Sequence, residues 1–436
     1  MKSIFLRLFF GLLAGAMLLG SCENHREPWP NDAATYSADV VTSWLTLQLR
    51  ITQTTPASPI VTTRRLGYTG IALYEAVVPG MRGYRSIAAR LNGLPPLPSA
   101  LPGVRYYWPA SANAALAAMH RKLYPTTSVA NKTAIDSLEA AHTVLYQKER
   151  PADEVERSAA FGRQIAEAVF EWSKSDGHDN TAPYTPPTGP GLWVPTPPAL
   201  APAAFPHWGK NRPMVIGSDV GADQGPPTPW STDPTSAYYA QVKEVYAMSQ
   251  NLTAEQKTIA LFWADNPDGK SFGGGHWHSI LNQLLISRKP SLDAAAVAFA
   301  QLGIAMSDAS ISIFKSKYAY NAVRPITYIR TVMNQPEWNT LIATPNHPEY
   351  PSGHSILSAS AAQTLTLLFG ENFRFTDHSY TALGFSPRSY NSFEEAAIEA
   401  GNSRVYAGIH YRNTCDVSQK QGKAIALNVA QKLAFK

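Results

Sequence analysis

A small set of residues in the last third of this chain carries the side chains that an oxyanion needs. The stretch "KYAYNAVRP" puts Lys317 seven residues before Arg324, "EYPSGHSILS" sets Ser352, Gly353 and His354 in a row, and "SRVYAGIHYR" places Arg404 six residues before His410. Three cations supply charge, and guanidinium forks pair with oxygens at two points. A hydroxyl and the free amides of a helix start add neutral donors. Two histidines can act as ligand, nucleophile or proton carrier. Singly, each residue has a plainer reading: Ser352 is a good N-cap, and Lys or Arg near a helix end is a solvated charge or a dipole partner. Together they describe a pocket for a tetrahedral or trigonal-bipyramidal oxyanion.

Such residues need elements to position them. Seven residues is about two helical turns, so the spacing puts Lys317 and Arg324 on one helical face. Six is a poor helical spacing, but Gly408 permits a bend that brings Arg404 and His410 together. The small and apolar run after PSGH predicts a helix that starts there, with its amides facing the oxyanion and His354 aimed at the same atom. Helical periodicity dominates from about Tyr36, in stretches such as "TYSADVVTSWLTLQLRI" and "DEVERSAAFGRQIAEAVFEWSKSDG", and strand patterns are scarce. The expected fold class is all-α, two packed helical bundles. Residues 181–235 hold a large share of the 34 prolines, interleaved with Trp193, Phe205 and Trp208. A disordered linker lacks such aromatics, so this segment reads as an ordered, irregular connector between a helical region at 22–180 and a site-bearing helical domain at 236–436.

Composition narrows the function class. With 44% apolar and 16% charged residues and a net charge of +5, the chain is a folded globular protein without a cationic cluster for nucleic acid. Residues 1–21 read as a signal peptide: Lys2 and Arg7, an apolar run over 8–20 too short to span a bilayer comfortably, then Leu19-Gly20-Ser21-Cys22. That ending resembles a bacterial lipobox, with Cys22 as the lipidated first residue. The expectation is a soluble body tethered by lipid to a bacterial membrane, periplasmic or on the outer surface, with no further apolar segment long enough to cross. Cys415, the second of two cysteines, is then left without a disulfide partner.

The ordered set Lys317-x6-Arg324-Pro325, Pro351-Ser352-Gly353-His354 and Ser403-Arg404-x5-His410 resembles the signature of the type 2 phosphatidic acid phosphatase and vanadium haloperoxidase superfamily. The segments "GYTGIALYEAV", "LFWADNPDG" and "AMSDASISIFKSKYAYNAVRPITYIR" are similar to its soluble bacterial haloperoxidase-like branch. The resemblance implies that Lys317, Arg324, Ser352, Gly353 and Arg404 hold the oxygens of vanadate, or of phosphate in the same site. It implies that His410 is the ligand to vanadium, that His354 is the acid/base, and that Lys317 polarises bound peroxide. The substrates implied are hydrogen peroxide and a halide. His347, seven residues before His354, resembles the histidine of bromoperoxidases and weakly favours bromide or iodide; a loop histidine at the rim is the plain alternative.

Some positions depart from the pattern. Four residues after His410, where the family usually has an aspartate that orients the ring, stands Thr414; it either caps the last helix or leaves Asp416 to take over. Phe314 occupies a place where tryptophan is more typical. Cys415 sits close enough to be oxidised by the products. Asp265 is a candidate partner for one cation, and His276 with His278 forms a weak metal pair better read as part of a loop over the pocket. Two other functions stay open on these residues: an acid phosphatase for soluble esters working through a phosphohistidine at His410, and a non-catalytic lipoprotein that binds oxyanions.

Overall fold

The computed structural model describes residues 32–266 and 268–436; residues 1–21, read above as a signal peptide, and Cys22 lie outside the described residues. The described residues form thirteen α-helices and one small hairpin, an all-α fold. The first five helices are α1 (Asp39–Thr54), α2 (Pro59–Val77), α3 (Trp108–Leu123), α4 (Val129–Glu149) and α5 (Ala152–Ser173). After the Pro-rich segment come α6 (Ala237–Gln250), α7 (Ala254–Phe262), α8 (His276–Arg288), α9 (Leu292–Tyr320) and α10 (Pro325–Thr331). The chain ends with α11 (Gly353–Phe369), α12 (Phe393–Tyr406) and α13 (Arg412–Leu433). Strands β1 (Phe375–Asp377) and β2 (Arg388–Tyr390) pair antiparallel between α11 and α12, with Asp377 opposite Arg388.

The segment at 181–235 contains only a short 3₁₀ turn at Trp208–Lys210. Its aromatics tie it down. The Trp193 amide donates to the Asn321 carbonyl at 2.7 Å, and the Trp208 indole donates to Ser310 Oγ at 3.0 Å. Gly209 lies so close to α9 that a Cβ there would meet the Lys315 backbone at 2.3 Å. Proline supplies stiffness without needing amide partners, and the amides of Met214 and Val215 add bonds to Asp308 of α9 at 2.7 and 3.0 Å.

Helix α9 organises the core. It is long and apolar enough to cross a membrane, which the sequence reading did not anticipate, yet 94% of its most apolar stretch is buried inside the protein. It is a core helix buried on nearly every side, with polar residues such as Asp308, Ser310 and Lys317 among its buried positions. One continuous apolar cluster joins Trp44 of α1, Ile71 of α2, Phe299 and Ile304 of α9, and Val429 of α13. Small residues let α2 and α9 approach closely: a Cβ on Gly70 would lie 2.9 Å from both Ala300 Cα and the Phe299 carbonyl. Helix propensity alone makes Gly70→Ala stabilising by about 1 kcal/mol, whereas overpacking costs about 1–3 kcal/mol. Contact with backbone leaves little room to yield, so packing should dominate. The urea midpoint of Gly70→Ala is expected to fall; a rise would mean that α2 and α9 are less tightly docked.

Candidate active site

Five helix ends converge to build the site. α9 stops at Tyr320, where Asn321 turns left-handed at φ 48°, and Arg324 caps α10 in extended conformation. Lys317 and Arg324 therefore do not share one helical face; they meet because the chain turns between them. PSGH does start a helix: Ser352 is the N-cap of α11, its Oγ accepting from the Ser355 amide at 3.4 Å, and the Gly353 and His354 amides begin the helix without intrahelical acceptors. α12 ends at Tyr406, and Gly408 at φ 79° bends the chain so that His410 precedes α13. Lys317, His347, Gly353, His354, His410 and Asp265 all line one cavity of about 470 Å³.

Lys317, Arg324 and Arg404 are each 0–1% exposed. Lys317 Nζ donates to the carbonyls of Pro348, Glu349 and Pro351 at 2.7, 3.0 and 2.5 Å. Arg324 binds both histidine-bearing segments, through Nε to the His347 carbonyl, Nη2 to His347 Nδ1, and Nη1 to the Ile409 carbonyl and His410 Nε2. Arg404 donates to Ser403 Oγ and to the Ala260 and Trp263 carbonyls of α7 and its end. Burial pushes all three pKa values down, Arg324 and Arg404 to about 10. Among the described residues none of the three forms an ion pair with a carboxylate. Glu349 and Asp265 act on these charges only through space; buried charge without a directly bonded counter-ion is costly, and a multiply charged oxyanion such as vanadate suits this positive field.

His410 is oriented by a residue that the sequence reading missed. Its Nδ1 lies 2.8 Å from Glu349 Oε1, which also accepts from the Tyr411 amide at 3.3 Å. Thr414 neither caps α13, whose N-cap is Tyr411, nor touches the ring; its hydroxyl donates to Glu349 Oε2 at 3.1 Å. Asp416 is exposed and takes no part. Glu349 thus stands where the expected aspartate would act, reaching His410 from the segment before PSGH. Burial raises Glu349, and the fields of Arg324 and Lys317 oppose that rise. Burial and the same two cations hold His410 well below the usual imidazole range. A neutral ring with its proton on Nδ1 carries its lone pair on Nε2, which here accepts from Arg324 Nη1 at 3.3 Å and would serve as ligand or nucleophile once that contact gives way. His347 is also held neutral by burial and cations, and its ring packs edge-on to Phe314 at 5.4 Å.

The other histidine has a longer support. Desolvation and the Arg404 charge push His354 down to about 3, opposed by Asp265, whose Oδ2 lies 4.0 Å from His354 Nε2. Asp265 also bonds His276 Nδ1 at 3.0 Å and accepts from the Tyr380 hydroxyl. His276 Nε2 reaches Asp377 of β1 at 2.8 Å, and its ring stacks on Trp263 at 4.5 Å. Asp265 therefore serves an imidazolium rather than pairing directly with an arginine. His278 points elsewhere: it is buried against Phe299 without a hydrogen-bond partner, and no cluster of metal-ligating side chains occurs among the described residues. Cys415 is close, bonding Ser352 and Ser355, but burial pushes its thiol up to about 12, which disfavours the reactive thiolate.

Burial opposes charge on His276, yet Asp265 and Asp377 outweigh it and raise the pKa to about 10. The folded value lies above the unfolded one of about 6.5, so this contribution is fully present below pH ~6.5 and is lost as pH climbs through about 10. Thermal melts across that window should show falling stability, with a shallower slope in His276→Gln. Equal slopes would remove the imidazolium from the account.

Residues 297–435 match the family described as the VCPO second helical-bundle domain. A search of curated proteins gives no match. A solved bacterial vanadium-dependent iodoperoxidase is 32% identical, with 91% of this chain and 96% of that one covered and a TM-score of 0.82. Apo and holo structures of bacterial vanadium-dependent chloroperoxidase are 17% identical, with TM-scores of 0.66 and 0.64, 87% of this chain covered in each case and 95% and 93% of theirs; they share its fold. A likeness of 32% over nearly the whole length, around a pocket of buried cations and two neutral histidines, means that the chain belongs to the vanadium-dependent haloperoxidases of the type 2 phosphatidic acid phosphatase superfamily.

Proposed function

We propose that this enzyme oxidises halide with hydrogen peroxide at a vanadate held by His410, with iodide and bromide favoured. The observation that carries the reading is the trio of buried cations without carboxylate partners, set beside two neutral histidines. Vanadate, when bound, supplies a Lewis-acidic centre that activates peroxide without changing its own oxidation state. Lys317, Arg324 and Arg404 provide the positive field, with Ser352 and Gly353 contributing donors from the start of α11. Glu349 holds the His410 ring so that Nε2 presents its lone pair. His354 is neutral and partly open to the cavity, with 29% of its side chain exposed, and accepts a proton from the incoming peroxide. Asp265 stabilises the imidazolium that results.

The halide preference rests on His347 and Phe314 at the cavity wall and on the likeness to an iodoperoxidase. A large, polarisable, weakly hydrated anion is the one least penalised by an aromatic surround. Tethering to a bacterial membrane through Cys22 belongs to the same proposal and rests on residues 1–22 alone.

Purified protein, stripped of phosphate and then given vanadate, should oxidise iodide with peroxide and lose that activity in His410→Ala. Ester hydrolysis that vanadate suppresses, without halide oxidation, would instead make it a phosphatase. Loss of an orienting partner typically costs about 10–100-fold, so Glu349→Ala should lower kcat by that order while Thr414→Val loses less. Unchanged kcat in Glu349→Ala would leave the His410 ring without a need for its carboxylate.

A further inference from the structure

The cavity lies at one end of the helical body, and the described residues begin at the other. The Ala38 amide donates to the Pro290 carbonyl at 3.2 Å, and the Leu292 amide donates to the Tyr36 carbonyl at 2.8 Å. The first described residues are thereby fixed beside the start of α9, whereas Lys317 stands 25 residues beyond Leu292 on the same helix. At 1.5 Å per residue that is about 38 Å. Asp32 follows Cys22 by ten residues, and a chain of that length reaches at most about 35 Å at full extension. A lipid on Cys22 therefore holds the end where α9 starts close to a bilayer, and the tether is too short to turn the cavity end onto the same surface.

Helix packing brings other helix ends to this pole. The Trp277 indole of α8 donates to Ser358 Oγ of α11 at 3.0 Å, and Arg288 at the end of α8 lies over the Phe373 ring, just after α11, at 4.8 Å. The two helices run side by side in one direction and finish together. α4 runs opposite to α1: Asn131 near its start bonds Thr54 at 2.8 Å, and His142 near its end bonds Ser43 at 2.9 Å. Around the entry of the chain therefore stand Ile286 of α8, Leu367 of α11, and Val144 and Leu145 of α4, each 49–55% exposed. Arg288, Lys289 and Arg374 are exposed at the same pole and form no ion pair among the described residues. Glu371, Asp293, Asp39 and Glu149 keep the net charge of the pole small, so apolar contact is what this surface chiefly offers. Half-exposed aliphatic side chains with long basic ones among them suit the boundary between lipid headgroups and acyl chains.

We propose that this end of the body, carrying Ile286, Leu367, Val144 and Leu145, rests on the surface of the bilayer that holds the lipid, with the cavity turned to water at the far end. The inference rests on the lipidation of Cys22 proposed above. It gives the halide chemistry a direction: peroxide and halide enter from the aqueous side, and the oxidant leaves at the end of the body away from the lipid.

The test uses the full chain, purified from membranes and reconstituted in vesicles of phosphatidylethanolamine and phosphatidylglycerol, some of whose lipids carry a nitroxide quencher in the acyl chain. Cys415 is buried, so an environment-sensitive fluorophore goes on one introduced cysteine at a time. The positions are Ile286→Cys at the proposed contact and Ala343→Cys, an exposed residue of the cavity wall. Quenching should be several-fold stronger at Ile286→Cys, and Lys289→Cys is the second position should the first variant fail to fold. Equal quenching at both ends, or stronger quenching at Ala343→Cys, overturns the proposal. Adding Leu145→Glu and Leu367→Glu together should lower the Ile286→Cys quenching; no change overturns the apolar contact. Mass spectrometry of the mature N-terminus and flotation with the vesicles decide the tether separately. A chain without lipid that fails to float removes the tether and the proposal with it, whereas a lipidated chain with equal quenching at both ends removes the docking surface alone.

Discussion

Burying three cations whose fields act on two histidines is the constraint around which the rest of this protein is arranged. The desolvation cost of one such charge is several kcal/mol even after relaxation, and an apolar helical bundle offers little to offset it. The fold answers with backbone. Lys317 and Arg324 are held by carbonyls from the segments ending at Pro351 and Ile409, and Arg404 by carbonyls at the end of α7. Carbonyl dipoles solvate the charges without neutralising them, so the net positive potential survives for an anion to use.

Carboxylates are kept one step removed. Glu349 is engaged by His410, Tyr411 and Thr414, and Asp265 by His276 and Tyr380. Each sits behind a histidine instead of in front of a cation. That placement orients the imidazoles and lowers the overall charge of the region, yet it leaves the oxyanion position free of negative competition. The two arrangements are also asymmetric. Glu349 bonds its histidine directly, which suits a ring that must hold still. Asp265 faces His354 across 4.0 Å, which suits one that gains and loses a proton.

The fold class was legible in the sequence because helical periodicity is a short-range pattern, and Gly408 marks a bend that only a flexible backbone makes easily; of the expected oxyanion set, Lys317, Gly353, His354 and His410 line the cavity, while Arg324, Ser352 and Arg404 stand behind it. Glu349 was not legible. Its partner is 61 residues away, and nothing in "PEYPSGH" separates a buried acid from a surface one. The link from His276 to Asp377 spans 101 residues through a three-residue strand, beyond any periodicity argument. The misplacement of Lys317 and Arg324 on one helical face had a visible warning in Asn321, since asparagine tolerates the left-handed conformation that ends a helix. The length and apolarity of α9 were also present in the sequence, but they describe a membrane span and a core helix equally well.

The socket of Lys317 has a consequence of its own. An ammonium has three N–H bonds, and all three already point at carbonyl oxygens. A lysine so fully engaged cannot swing toward an arriving ligand without giving up a partner. It therefore acts as a fixed point charge whose influence reaches the anion through space, present at full strength before anything binds. The same tripod is a mould for one side chain only, because the planar five-donor fork of arginine has the wrong shape for it.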